Sequence, residues 1–177
     1  MLIAIVVLGF VTIQRLVELV HARRNTARLL ERGAYEVAPG HYPLVVVLHV
    51  AWLASLWLLA PGQPIGVFWL AVFVAAQVGR LWVLATLRDR WTTRIIILPG
   101  APLVATGPYR YLSHPNYVVV AVEIAALPLA FDLPLCAIVF SLLNAAVLCI
   151  RIAAENAALK ETRQVRAWRL GAPSPSP

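Results

Sequence analysis

The sequence predicts an all-α polytopic membrane bundle of about five transmembrane helices, with a cap of loops on one side. Three observations lead there. Hydrophobic residues make up 61% of the 177 and charged residues only 13%, about half the share that a soluble domain carries. Five apolar runs reach the roughly 17–25 residues with which a helix crosses a bilayer. The arginines gather in alternate connections between those runs.

The first run, residues 2–20, has no basic residue before it and no small-residue cleavage site, and it holds Arg15 and Glu18. These features mark a retained span rather than a signal peptide. The second run covers 43–60 and the third 66–87. The fourth, 115–131, and the fifth, 134–150, each begin with proline, which suits the first helical position. Only Asp132-Leu133-Pro134 joins the last two, so they must be antiparallel neighbours. Residues 1–170 are read as one membrane domain and the Pro/Ser-rich residues 171–177 as a disordered tail.

Charge fixes the expected orientation. Arg23, Arg24, Arg28 and Arg32 follow the first run, Arg88, Arg90, Arg94 and Arg110 follow the third, and Lys160, Arg163, Arg166 and Arg169 follow the fifth. The N-terminus, 61–65 and 131–134 carry no basic residue. By the positive-inside rule the N-terminus faces outward, while the C-terminus and the long connections are cytoplasmic, in a bacterial-type inner membrane. The net charge of +7 is then a topology and anionic-lipid signal, not a nucleic-acid footprint. Cys136 and Cys149 lie in the fifth run and the four histidines are scattered, so no metal site is expected.

Polar residues within the runs fall on helical stripes. Gln14, Glu18, His21 and Asn25 share one side of the first helix, and Asn116 and Glu123 align on the fourth. Gln77, Arg80, Arg88 and Trp91 share a side of the third if the helix continues that far. Ser141, Asn144, Arg151 and Glu155 do so on the fifth. Sides unfit for lipid should converge. Arg15, Glu18, Arg80 and Glu123 have two readings: ion pairs that hold the bundle, or a functional path. His49 reads as a satisfied interior histidine.

The densest chemistry lies in Gly107-Pro108-Tyr109-Arg110-Tyr111-Leu112-Ser113-His114-Pro115-Asn116-Tyr117 and in Arg151-Ile152-Ala153-Ala154-Glu155-Asn156. Both sit at the cytoplasmic ends of the antiparallel fourth and fifth helices, so they meet. Pro115 at the first helical position makes His114 the cap and turns the first backbone amides toward the loop, a site for an anion. Arg110 and Arg151 can clamp carboxylate or phosphate oxygens, the tyrosines offer flat faces, and Glu155 offers a fixed negative charge. The matching ligand is a zwitterion with a carboxylate, an amine, a delocalised cation and a planar ring. No Gly-x-Gly-x-x-Gly follows a strand, which excludes a soluble dinucleotide-type site.

Gly107-Pro108-Tyr109-Arg110-Tyr111, His114-Pro115-Asn116-Tyr117 and Arg151-Ile152-x-x-Glu155 resemble the signature of the isoprenylcysteine carboxyl methyltransferase family, over about residues 91–159. The resemblance implies a polytopic enzyme that moves methyl from S-adenosylmethionine, which has all four features above, to an oxygen of a lipid-like substrate. It implies that Tyr109, Arg110, His114, Pro115, Tyr117 and Glu155 bind the cofactor and that Arg151, Glu155 and His114 serve catalysis, with Arg151 near the substrate oxygen. The chain departs from the family pattern at Ser113, commonly Arg, at Val119, often Gly, and at Asn156, usually a second Glu. The family's aromatic-rich tail is missing. The N-terminal half, with Gln14-Arg15-Leu16-Val17-Glu18 and His41-Tyr42-Pro43, is similar to a bacterial branch that methylates hydroxyls of alkylresorcinols or alkylpyrones. The acceptor is therefore left open between a carboxylate and an enolic or phenolic hydroxyl. Residues 91–106, turning at Pro99-Gly100, are the expected lid. The rival reading is a small transporter or channel built on the intramembrane charges.

Overall fold

The computed structural model describes residues 1–169, with side chains through Lys160, so the tail expected at 171–177 lies outside the described residues. Five helices run in chain order: α1 (Leu2–Glu31), α2 (Tyr42–Leu59), α3 (Val67–Leu87), α4 (Pro115–Ala130) and α5 (Pro134–Arg169). Four of them are long and apolar enough to cross a membrane, and the chain is an integral membrane helical bundle. The fourth, α4, has 16 residues, about 24 Å of helix, and is shorter than a full span.

Each helix end has a local cause. α1 runs eleven residues past the apolar run, because arginine, leucine and alanine sustain a helix as well as valine does. It stops in a Schellman turn: Gly33 takes φ +85°, the Ala34 amide bonds the Leu29 carbonyl, and the Gly33 amide bonds that of Leu30. α3 stops at Arg88, which adopts φ +49°. A continuous helix placing Trp91 on the stripe of Gln77 and Arg80 is therefore not formed. Trp91 still reaches that side by the turn of the chain and packs against Ala22 and Val83.

The bundle has three layers. At one end is an apolar core of Leu8, Val11, Leu48, Trp52, Leu56, Phe73, Ile124, Leu127 and Phe131. Next comes a charged belt in which the polar stripes of α1, α3 and α4 converge. Arg15 bonds Glu18 at 2.9 Å and Glu123 at 2.6 Å, while Arg80 bonds Glu18 at 3.2 Å and Glu123 through two nitrogens. Gln14 and Gln77 exchange amide hydrogen bonds at 3.0 Å beside it. Each of the four charges thus has partners of opposite sign, which is how charge persists in a low-dielectric interior.

The third layer is the arginine-rich end, where the α1–α2 and α3–α4 connections form a cap. A two-residue antiparallel ladder pairs β1 (Tyr35–Glu36) with β2 (Ile96–Ile97). Arg94 reinforces it, bonding Glu36 at 2.7 Å with its guanidinium 4.4 Å from the Tyr42 ring centroid. The Asn25 amide donates to the Arg88 and Trp91 carbonyls at 3.0 and 2.9 Å, anchoring the second connection to α1. The segment expected as a lid is held down at its start, with Trp91, Ile95 and Ile97 buried.

Candidate functional site

α4 and α5 pack as antiparallel neighbours, so the start of α4 lies beside the stretch of α5 that carries Arg151 and Glu155. His114 is the N-cap of α4 and Pro115 its first residue, in keeping with the sequence. The Tyr117 and Val118 amides already bond the His114 carbonyl, at 3.1 and 3.3 Å, so the helix start keeps fewer free donors than a bare N-terminus.

On this corner the Tyr117 hydroxyl donates to Glu155 Oε2 at 2.8 Å, and His114 Nδ1 lies 3.6 Å from the same oxygen. The His114 and Tyr117 rings stack at 5.3 Å with 13° between their planes. The Arg151 guanidinium sits 5.6 Å from the Tyr117 ring centroid. Arg151 is 7% exposed, its Nε has no hydrogen-bond partner, and no carboxylate among the described residues comes within 4 Å of it. Tyr109 borders this group: burial, then the Glu155 charge and Tyr117, push its phenol well above its ordinary pKa, so it stays a neutral donor.

Tyr109 is positioned by the 3-10 turn Gly107–Arg110, which packs on α3. Gly107 takes φ +56°, and a Cβ there would overlap the Thr86 hydroxyl, itself fixed by a 2.8 Å bond to the Trp82 carbonyl. Only glycine allows that approach.

Of the residues singled out in the sequence, Tyr109, His114, Pro115, Tyr117, Arg151 and Glu155 come together here. Arg110 does not join them: it is exposed and enters none of these contacts.

Beneath Tyr117 and Arg151 lies a cavity of about 270 Å³. Trp91, Thr92 and Thr93 close it from the cap, Arg15, Glu18 and Arg80 form one wall, and Asn116, Asn144 and His49 also line it. Leu16, Val46 and Val50 line its other side while being 59%, 39% and 62% exposed on the bundle surface, so the cavity meets the lipid between α1 and α2.

The sequence reading gave no role at the site to three residues in or near the cavity. His41 is 7% exposed, and neither of its ring nitrogens has a hydrogen-bond partner among the described residues. Asn116 Oδ1 is buried without a hydrogen-bond partner among the described residues. His49 bonds the Val45 carbonyl through Nδ1 at 2.8 Å, yet faces the cavity rather than a packed core. The signal that could have found His41 is its place at the mouth of a helix with a proline in the first turn, as at His114, although Tyr42 stands between His41 and Pro43.

The sequence model described as the isoprenylcysteine carboxyl methyltransferase family matches residues 69–161, slightly more than half of the chain. An uncharacterized protein of Bacillus subtilis strain 168, YpbQ, is 38% identical over 160 residues, covering 87% of this chain and 95% of that one. An uncharacterized protein of Haemophilus influenzae is 25% identical over 142 residues, covering 77% and 83%. No solved structure matches the chain.

Proposed function

The chain belongs to the isoprenylcysteine carboxyl methyltransferase family, and on that footing we propose that it is an S-adenosylmethionine-dependent O-methyltransferase acting on a lipid-like substrate. The observation that carries the reading is one corner with two faces: Glu155, His114 and Tyr117 form a polar cluster, and Tyr117 and Arg151 also border a cavity open to lipid. On this reading the arginine-rich end faces the cytoplasm, the N-terminus faces outward, and residues 1–170 act as one domain.

The donor set fits the cofactor. Glu155 takes the amine in a charge-assisted hydrogen bond, and the stacked His114 and Tyr117 rings, with Tyr109, offer flat surfaces to the cationic and aromatic parts. Arg110, exposed at the rim, is free to swing onto the carboxylate. When bound, S-adenosylmethionine supplies a methyl group already activated by its sulfonium. The chain's task is then to orient the acceptor and keep water away. Arg151, buried and without a carboxylate partner among the described residues, holds the acceptor oxygen. A carboxylate acceptor needs no base, while a phenolic or enolic hydroxyl must lose its proton, which His114 or Glu155 can accept. Glu123, held between two arginines, is spent on structure. The same pairing speaks against a transporter, in which such charges would be left for an ion.

The test is saturable binding of S-adenosylmethionine or its demethylated product to the purified protein, followed by labelled methyl transfer. An alkylresorcinol or alkylpyrone should be methylated at least as well as a farnesylcysteine analogue. Absence of saturable binding at millimolar cofactor overturns the enzyme. Efficient turnover of the prenylcysteine alone overturns the hydroxyl acceptor.

A further inference from the structure

A buried histidine whose ring nitrogens bond nothing needs a reason, because a polar group taken from water and left unbonded destabilises the fold. His41 is such a residue: it is 7% exposed, and neither ring nitrogen has a hydrogen-bond partner among the described residues. It is the N-cap of α2, yet its side chain makes no capping bond. The other three histidines are engaged. His21 meets Asn25 at 3.1 Å, His49 bonds the Val45 carbonyl, and His114 lies against Glu155 and Tyr117. Backbone strain accompanies the placement of His41: Ala38 takes the left-handed conformation, at φ 46°, and from there the chain enters the 3-10 turn Pro39–His41.

That turn packs against α5. The register of α2 against α5, which run antiparallel, gives the level at which it does so. Away from the cap, Ser55 on α2 and Val139 on α5 line one surface groove. Thirteen residues toward the cap from each stand Tyr42 and Ile152, and equal helical rise keeps these two level. His41 therefore lies within about one helical turn of the level of Arg151, whose buried Nε also has no hydrogen-bond partner among the described residues. Tyr42 and Arg151 line the cavity together, so His41 stands at its cap-side edge, one residue from the wall.

We propose that His41 is the general base for a hydroxyl acceptor whose oxygen Arg151 holds. The proposal rests on the methyl-transfer reading and adds to it the destination of the proton. Glu155 accepts from Tyr117 and is committed to the cofactor's amine, and His114 stands with it on the cofactor's side. A base is needed on the acceptor's side. His41 has a lone pair to give, since a neutral imidazole accepts at one nitrogen while it donates at the other. As the acceptor's O–H bond breaks, the proton passes to His41 and the electron pair left on oxygen takes the methyl group. The carbon–sulfur bond breaks with its electrons going to sulfur. The imidazolium then returns its proton to water, so each turnover releases one proton. Arg151 steadies the oxygen while its negative charge develops.

The experiment compares two acceptors on the full-length protein and on its His41→Gln and His41→Asn variants. One is an alkylresorcinol, whose hydroxyls stay protonated at neutral pH. The other is a polyfluorinated alkylphenol of equal chain length, already ionised at that pH and in no need of a base. In both variants kcat for labelled methyl transfer to the alkylresorcinol should fall at least about a hundredfold, the lower end of what a general base contributes, while transfer to the ionised probe changes less than about threefold. Cofactor binding should stay as in the wild type. Equal loss of both acceptors in the two variants, by misfolding or otherwise, assigns His41 to the scaffold and overturns the proposal. Full retention of both, or a wild type that methylates carboxylates alone, overturns it as well. A wild type that transfers methyl to no acceptor removes the methyl-transfer reading and the base with it; wild-type transfer to both probes without a split in the variants removes only the base.

Discussion

The Tyr117 hydroxyl donates to Glu155 Oε2 at 2.8 Å, joining the first turn of α4 to α5 just beyond its apolar run. Among the described residues no hydrogen bond takes the second carboxylate oxygen and no arginine pairs with the side chain, which is 30% exposed, so the charge is held in place and stays available. A positioned but unpaired carboxylate is what a ligand's ammonium group needs.

Glu155→Gln keeps an acceptor for Tyr117 and removes the charge. Loss of a charge-assisted contact of about 1.5–3 kcal/mol should weaken cofactor binding ten- to hundredfold by titration calorimetry. Melting without ligand should hardly change. Normal cofactor binding with a markedly lower melting temperature would assign Glu155 to the scaffold instead.

The belt should respond in the opposite way. Arg80→Leu strips Glu123 of its closest partner and leaves a buried carboxylate to Arg15 alone, at a cost of about 3–5 kcal/mol in detergent unfolding. Adding Glu123→Leu should recover part of that loss, because no orphaned charge remains. A double variant as unstable as the sum of the single ones would show that the charges do not act as a unit.

Gly107→Ala should cost about 1–3 kcal/mol, combining the overlap with Thr86 and the left-handed backbone. Methyl transfer should fall with it, since Tyr109 rides on the same turn. Adding Thr86→Ala should restore the steric share and leave the backbone share. No recovery in the double variant would mean that the close approach is not what glycine serves.

Orientation is open to chemical labelling. In a background without Cys136 and Cys149, a cysteine at Gln63 should react with an impermeant thiol reagent from outside intact cells, and one at Asp89 only after lysis. Reaction of both from the same side would contradict the proposed topology.

Much of this was legible in the chain. Apolar runs marked the helices, the stripes of Gln14 and Glu18, of Gln77 and Arg80, and of Asn116 and Glu123 marked the inward faces, and His114-Pro115 marked a helix start. The third run stopped at Leu87, where α3 ends, but the left-handed arginine that turns the chain there was not legible, because nothing local demands it. The length of α1 was hidden because hydropathy stops reporting where the arginines begin, while helix propensity continues. Tyr42, Thr92 and Thr93 reach the cavity through the pairing of Tyr35 with Ile97, sixty-two residues away in sequence, and no periodicity encodes that. Arg110 shows the converse. Its motif placed it at the site, but the turn that carries Tyr109 inward carries the next residue outward.

The belt also bears on how the chain enters the bilayer during synthesis. α1 brings a matched pair of its own, Arg15 and Glu18, one turn apart. α3 brings a lone cation, Arg80, and α4 a lone anion, Glu123, so each helix alone carries an uncompensated charge into lipid and only the two together carry none. α4 is also the shortest helix, and the one least able to hold a transmembrane position unaided. The two are thus suited to leave the insertion machinery as a hairpin, the guanidinium escorting the carboxylate.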